Sequence, residues 1–147
     1  MGDTFEMEVD IDKFFEGLTI ANTKAIDVAE ESMNDVVDEL VRISSEIAPF
    51  DKGTLQKSHE SKVSRKFSGI IEGTVIYSVM EEGFNYALWT HEGIYQNGEK
   101  TERRPGTTGW SGSKYEAGRK YLQRPVEGEQ KAFLEHMAKQ IGDVIAK

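Results

Sequence analysis

Residues Thr19–Pro49 read TIANTKAIDVAEESMNDVVDELVRISSEIAP. Ile26, Ala29, Met33, Val36, Val37, Leu40, Val41, Ile43 and Ile47 recur there at steps of three and four. That spacing lines them along one side of an α-helix, which predicts a long amphipathic helix over 19–48, opened at Thr19 or Asn22. Pro49 ends it, because proline has no amide to donate and disfavours helical backbone in the residue before it. An apolar stripe this wide packs on a sheet; a coiled-coil partner helix is the alternative.

The flanks supply the sheet. Upstream, TFEMEV (Thr4–Val9) alternates apolar and polar residues, as a short strand or an extended arm does. IDKFFEGL (Ile11–Leu18) reads as a brief helix capped by Asp10 or Asp12 and closed at Gly17. Downstream, LQKSHESKVSRKF (Leu55–Phe67) and GIIEGTVIYSV (Gly69–Val79) read as two strands joined near Ser68-Gly69. The second is rich in β-branched and aromatic residues; the first is polar and charged, as suits an edge. Tyr86–Glu92 is a third short apolar segment, strand or helical turn. From Gly93 to Gly118 apolar residues are few and Gly, Ser, Thr and Arg many, which predicts a long flexible interaction loop. Lys120–Ala146 then sets Val126, Phe133, Met137, Ile141 and Val144 or Ile145 on one face, a second long helix with Pro125 in its first turn. The expected architecture is a single α+β domain over 1–147. It has an arm and short helix at 1–18, a long helix at 19–48, a small antiparallel sheet within 55–92, the loop at 93–118 and a C-terminal helix at 121–146. Both long helices lie on one face of the sheet.

Composition narrows the class of function. With 147 residues, 37% hydrophobic and 30% charged, the chain fits one soluble domain with a modest core. No apolar run approaches the roughly 20 residues that span a bilayer, so no membrane partner is expected. MGDTFEMEVD lacks the basic start and apolar stretch of a signal peptide, and Glu6 stands where a myristoylation signal needs Ser or Thr. The expectation is therefore synthesis and retention in a cytoplasm. Without cysteine there is neither a disulfide framework nor a thiolate metal cluster. The net charge of −8 is uneven: residues 1–47 hold 13 acids against 3 bases, whereas 97–124 hold 7 bases against 3 acids. Such asymmetry suits head-to-tail packing of neighbours better than wrapping DNA, which calls for a broad basic face.

Candidate chemistry is thin. His91-Glu92 is a candidate general-base pair or half of a metal site, but adjacent residues on a strand point to opposite faces. His59 and His136 stand at no ligand spacing, and a metal site needs three or four convergent ligands. WSGSK (Trp110–Lys114) is not a GxSxG elbow, and TGWSGSK lacks the spacing, the preceding strand and the final Lys-Ser/Thr pair of a phosphate loop. No catalytic residue, metal or cofactor is expected. Tyr95, Trp110 and Tyr115 are interleaved with Lys100, Arg103, Arg104, Lys114, Arg119 and Lys120, a pattern that could stack on single-stranded nucleic acid. A pI of about 4.9 and the Ser-Gly spacing favour a loop that orders on a protein partner instead.

Three phrases carry a resemblance. IAPFDKGTLQKSHE resembles a helix-to-strand turn through Ala48, Pro49, Asp51, Gly53, Leu55 and Ser58. YALWTHEGIYQNG is similar to an aromatic-Ala strand through Tyr86, Ala87, His91, Glu92 and Gly93. RRPGTTG followed by KYLQRPVEGEQ resembles a loop that opens a last helix, through Lys120, Tyr121, Leu122 and Pro125. In this order, across Ile20–Ala146, they resemble the minor capsid and head–tail connector (tail-completion) proteins of long-tailed phages and prophages. Phe50 and Lys52 depart from the Val and Thr usual in the first phrase.

The resemblance implies a non-enzymatic virion structural protein, made in a bacterial host's cytoplasm and built into a ring at the head–tail interface. The ring is typically a hexamer. Its implied partners are further copies of itself and other neck, adaptor and tail-tube proteins, with DNA met only as it passes through the channel. His91-Glu92-Gly93 then closes a strand leading into the interaction loop. Neighbour contacts fall to Tyr95, Lys100, Arg103, Arg104, Trp110, Lys114 and Tyr115. Pro49, Gly53, Leu55, Tyr86, Gly93, Tyr121, Leu122 and Pro125 hold the shared shape. The alternatives are a minor capsid component on the head side, a single-strand nucleic-acid-binding module using the basic aromatic loop, or a small hydrolase using His91. Deletion of Gly98–Lys114 is expected to leave a folded monomer that cannot join particles.

Overall fold

The computed structural model describes residues 3–10, 23–48, 59–65, 70–77, 80–81, 84–85 and 104–145. In chain order these form β1 (Asp3–Asp10), α1 (Thr23–Ile47), β2 (His59–Arg65), β3 (Ile70–Tyr77), β4 (Met80–Glu81), β5 (Phe84–Asn85), β6 (Thr107–Thr108), β7 (Lys114–Tyr115) and α2 (Gln123–Ile145). The class is α+β, as the two helical periodicities and the β-branched run require.

The main sheet is antiparallel in the order β1-β3-β2. Along β3 burial alternates with a period of two: Ile71, Gly73, Val75 and Tyr77 are buried, and the residues between them half-buried. One face of the strand is thus packed, and α1 covers it. Gly73 sits at the crossing. A methyl group there would lie 2.7 Å from Val37 Cγ2 and 2.8 Å from Met33 Sδ, so the absent side chain is what lets the helix close on the sheet. TFEMEV is a strand rather than an arm. Its register sets Phe5, Met7 and Val9 opposite Val75, Gly73 and Ile71, in phase with the packed positions of β3. On the other edge, Arg65 of β2 ion-pairs with Asp27 and Glu30 of α1.

The stripe of α1 is buried as its spacing predicts, with Ala29, Met33, Val36, Leu40, Ile43 and Ile47 at 0–1% exposure. Phe133, Met137 and Ile141 of α2 share that core with Tyr121 and Leu122. Each large side chain so buried contributes about 1.5–3 kcal/mol. Tyr77 lies where sheet and helices meet. Its ring meets that of Tyr121 edge-on at 5.2 Å and 87°, and its hydroxyl is 2.7 Å from Ser44 Oγ. Burial, partly offset by Ser44, pushes this phenol up to about 12.

Two expectations change. Helix α2 begins at Gln123, not 121, because Lys120 takes a left-handed φ of 54° that cannot continue a helix, and Tyr121-Leu122 form a turn ahead of it. Residues 104–118, expected to belong to a flexible loop, form a packed β6–β7 hairpin and its flanking turns. Helix α1 is described from Thr23, so its expected start at Thr19 or Asn22 lies outside the described residues, as do the short helix at Ile11–Leu18 and the segment Tyr86–Glu92. No helix among the described residues is long and apolar enough to cross a membrane.

Candidate functional site

The hairpin found within the second half of the expected loop is where the polar side chains converge; residues 93–103 lie outside the described residues. Thr107 pairs with Tyr115 and Thr108 with Lys114. Between them Gly112 N–H donates to the Gly109 carbonyl at 3.0 Å, and Gly109 N–H to the Ser113 carbonyl at 3.0 Å. Gly112 turns the chain at φ 87°, a conformation glycine adopts without strain. A ribbon of two-residue strands is too short to stand alone; two charged side chains, one from each helix, hold it down.

Arg42 is the first. On α1 its guanidinium forks onto Glu39, Nε to Oε1 at 2.6 Å and Nη2 to Oε2 at 3.0 Å, and Nη1 reaches Glu46 at 3.1 Å. The same group crosses to the hairpin, donating to Thr107 Oγ1 and to the Thr108 carbonyl, each at 2.8 Å. Hydrogen bonding to Glu39 outweighs burial and raises the Arg42 pKa further. Glu39 is 6% exposed, and this fork occupies both of its carboxylate oxygens.

Glu129 of α2 is the second, at 0% exposure. Its Oε1 accepts the Ser111 N–H at 2.9 Å; Oε2 accepts the Tyr115 hydroxyl at 2.7 Å and the Ser111 hydroxyl. Burial pushes this carboxyl up, but the donors from Ser111, Tyr115 and the Trp110 backbone overcome it and hold it below the usual carboxylate range. Tyr115, buried and donating to a carboxylate, is pushed up to about 12. Glycines make the approach possible: a side chain at Gly109 would strike the Glu129 carboxylate, and one at Gly128 the Tyr115 hydroxyl.

Arg104 completes the clamp. Helix α1 has no basic residue in its last turn, and Arg104 supplies the charge from a distance. Its Nε donates to the Glu46 carbonyl at 2.8 Å and Nη2 to the Ser45 carbonyl at 3.1 Å, while Gly118 N–H takes the Ile47 carbonyl at 2.8 Å. These are carbonyls a helix end leaves without partners. Burial lowers the Arg104 pKa, with Glu46 opposing. Arg124 likewise donates to the Arg119 and Glu116 carbonyls, at 3.1 and 2.8 Å.

The residues expected to meet neighbours therefore divide. Arg104 and Tyr115 turn their polar groups inward and serve the subunit's own packing. Lys114 is exposed. Trp110 is 44% exposed, with its ring edge-on to Phe133 at 5.7 Å and tilted against His136 at 4.7 Å. His136 Nε2 is 2.9 Å from Asp35 Oδ2. Tyr121 and Leu122 are fully buried, and Pro125 lies in the first turn of α2. Tyr95, Lys100, Arg103, Pro49, Gly53, Leu55, Tyr86, His91, Glu92 and Gly93 lie outside the described residues. Among the described residues no three His, Asp or Glu gather as a metal site would.

Sequence reasoning missed Glu39, Arg42 and Glu129. The signal was present: Glu39 falls within an apolar stripe between Val36 and Ile43, and Glu129 between Val126 and Phe133. A charge at a core position has to be paired, and glycines at 109 and 128 left room for the pairing. Deletion of 98–114 removes Arg104, Thr107, Thr108 and Ser111, so it strips both clamps and destabilises the fold rather than leaving a folded monomer. Comparisons with protein-family models, curated proteins and solved structures gave no match.

Proposed function

We propose that this chain is a non-enzymatic structural subunit of a tailed-phage virion, a tail-completion or head–tail joining protein that assembles as a ring at the neck. The observation that carries the reading is the placement of the resemblance residues on the fold. Ala48 closes α1 in the core, Tyr121 and Leu122 are fully buried, and Pro125 opens α2. Tyr121, Leu122 and Pro125 of the third phrase thus fall on buried positions that build shape, which supports the reading. The charged side chains gathered at the hairpin are directed to one another and to backbone carbonyls, an arrangement that fixes geometry. Among the described residues β1 and β2 are the edges of the sheet; in the ring a neighbour's strand would add there, and the exposed charges Glu60 and Lys62 of β2 guard that edge until assembly.

The nucleic-acid alternative loses support from the same geometry, because Arg104, one of its basic residues, is engaged with backbone carbonyls. The test is electron microscopy of lysates from a phage or prophage carrying a nonsense mutation in this gene. DNA-filled heads lying apart from finished tails are the expected result, and the half that keeps its neck tells head side from tail side. Normal infectious particles would remove the connector reading.

A further inference from the structure

The outward side of α2 carries charges of alternating sign, one per turn: Glu127, Lys131, Glu135 and Lys139, all exposed. Four-residue spacing makes them a single ridge on the helix surface. Lys131 and Glu135 are 90% and 67% exposed, and within the chain they approach only to 3.9 Å. A groove runs along each side of the ridge. One, of about 490 Å³, is bounded by Gln130, Leu134 and Ala138; the other, of about 580 Å³, by Trp110, Ala132 and His136. Leu134 and Trp110 are the exposed large hydrophobic side chains among the described residues, and each lines one of these grooves. Low, partly apolar grooves on both sides of a ridge are what a second helix needs to pack by ridges into grooves.

The charge order selects the occupant. Turned end for end about a twofold axis level with Phe133, the ridge is its own complement: Glu127 faces Lys139 of a second copy, Lys131 faces that copy's Glu135, and each pair occurs twice. A parallel pairing in register sets like charge on like. We propose that the outward face of α2 is a twofold interface between two copies of this chain, with the four-residue ridges of the two helices interdigitated at a crossing angle of about −50°. Leu134 and Trp110 are covered in that arrangement. The exposed ion pairs add little affinity singly, but they fix the direction and register of the pair. This contact does not depend on the neck reading.

The test is sedimentation equilibrium of the full chain at low ionic strength, for the wild type, Lys131→Glu, Glu135→Lys and an equimolar mixture of the two variants. Both positions are exposed, so the fold is kept, and circular dichroism checks it. The wild type should associate to a dimer. Each variant alone should dissociate roughly tenfold or more readily, because two attractive contacts become repulsive. The mixture should regain wild-type association, since the new carboxylate of one variant then faces the new ammonium of the other. Leu134→Gln should weaken association without that rescue. A wild type that stays monomeric, an assembly indifferent to either single substitution, or a mixture that fails to recover would each overturn the proposal.

Discussion

Replacing Glu129 by alanine removes the carboxylate on which donors from Ser111, Tyr115 and the Trp110 backbone meet. The buried Tyr115 hydroxyl loses its carboxylate acceptor and keeps only the Ser111 and Ser113 hydroxyls beside it, and losing a hydrogen bond to a charged group costs about 1.5–3 kcal/mol. The two Ser111 donors can turn to water because Ser111 is exposed, so their loss adds about 1 kcal/mol. The sum is about 3 kcal/mol, which for a chain of this size lowers Tm by about 6–12 °C. Glu129→Gln keeps the shape and one acceptor oxygen and should cost about 1 kcal/mol. The pH dependence separates charge from shape. The Glu129 carboxyl is held below its ordinary value in the folded chain, so its stabilisation is present above the ordinary carboxylate range and is lost as pH falls through the depressed value. The gap between wild type and Glu129→Gln should therefore narrow on acidification. Urea unfolding followed by circular dichroism, repeated across the acid range, measures it. An alanine variant as stable as the wild type, or a gap that widens in acid, would refute the account of the hairpin.

Other outcomes follow from neighbouring contacts. Arg42→Met leaves the buried Glu39 carboxylate without its fork and cuts both links to Thr107 and Thr108. It should cost about 2–3 kcal/mol in urea unfolding and speed amide exchange at 107–115 more than at α2. Gly73→Val drives a branched side chain into Val37 and Met33 and should cost more than the roughly 1–3 kcal/mol of ordinary overpacking, read as a lowered Tm, because helix and sheet must part along their whole contact. Tyr77 releases its proton near 10 in the unfolded chain and only at about 12 when folded, so stability should fall as pH rises across that window, and Tyr77→Phe should flatten the decline.

The helices were legible because their signal is periodic. Met33, Val36, Val37 and Leu40 can share a face only on a helix, and Pro49 bounds it. Strand β3 was legible from its β-branched run. The TFEMEV alternation left strand and arm open because its partner, β3, lies more than 60 residues away in the chain and pairing is a long-range property. The hairpin was not legible. Its strands are two residues each, too short for any period, and its glycines and serines read equally well as a mobile linker. What orders it comes from elsewhere: Arg42 and Glu129 reach in from two helices, and neither residue announces from local sequence that its partner is a threonine hydroxyl, a carbonyl or a tyrosine. Arg104 misled for the same reason. In sequence it belongs to a basic run; in space it caps a helix that lacks a basic residue of its own.

The most direct test of the neck assignment is gold labelling of purified virions with an antibody against this chain. Label confined to the junction of head and tail, in a ring's small and constant copy number per particle, is the result predicted here. Label spread over the capsid or at the tail tip, or particles that carry none of the protein, would contradict it.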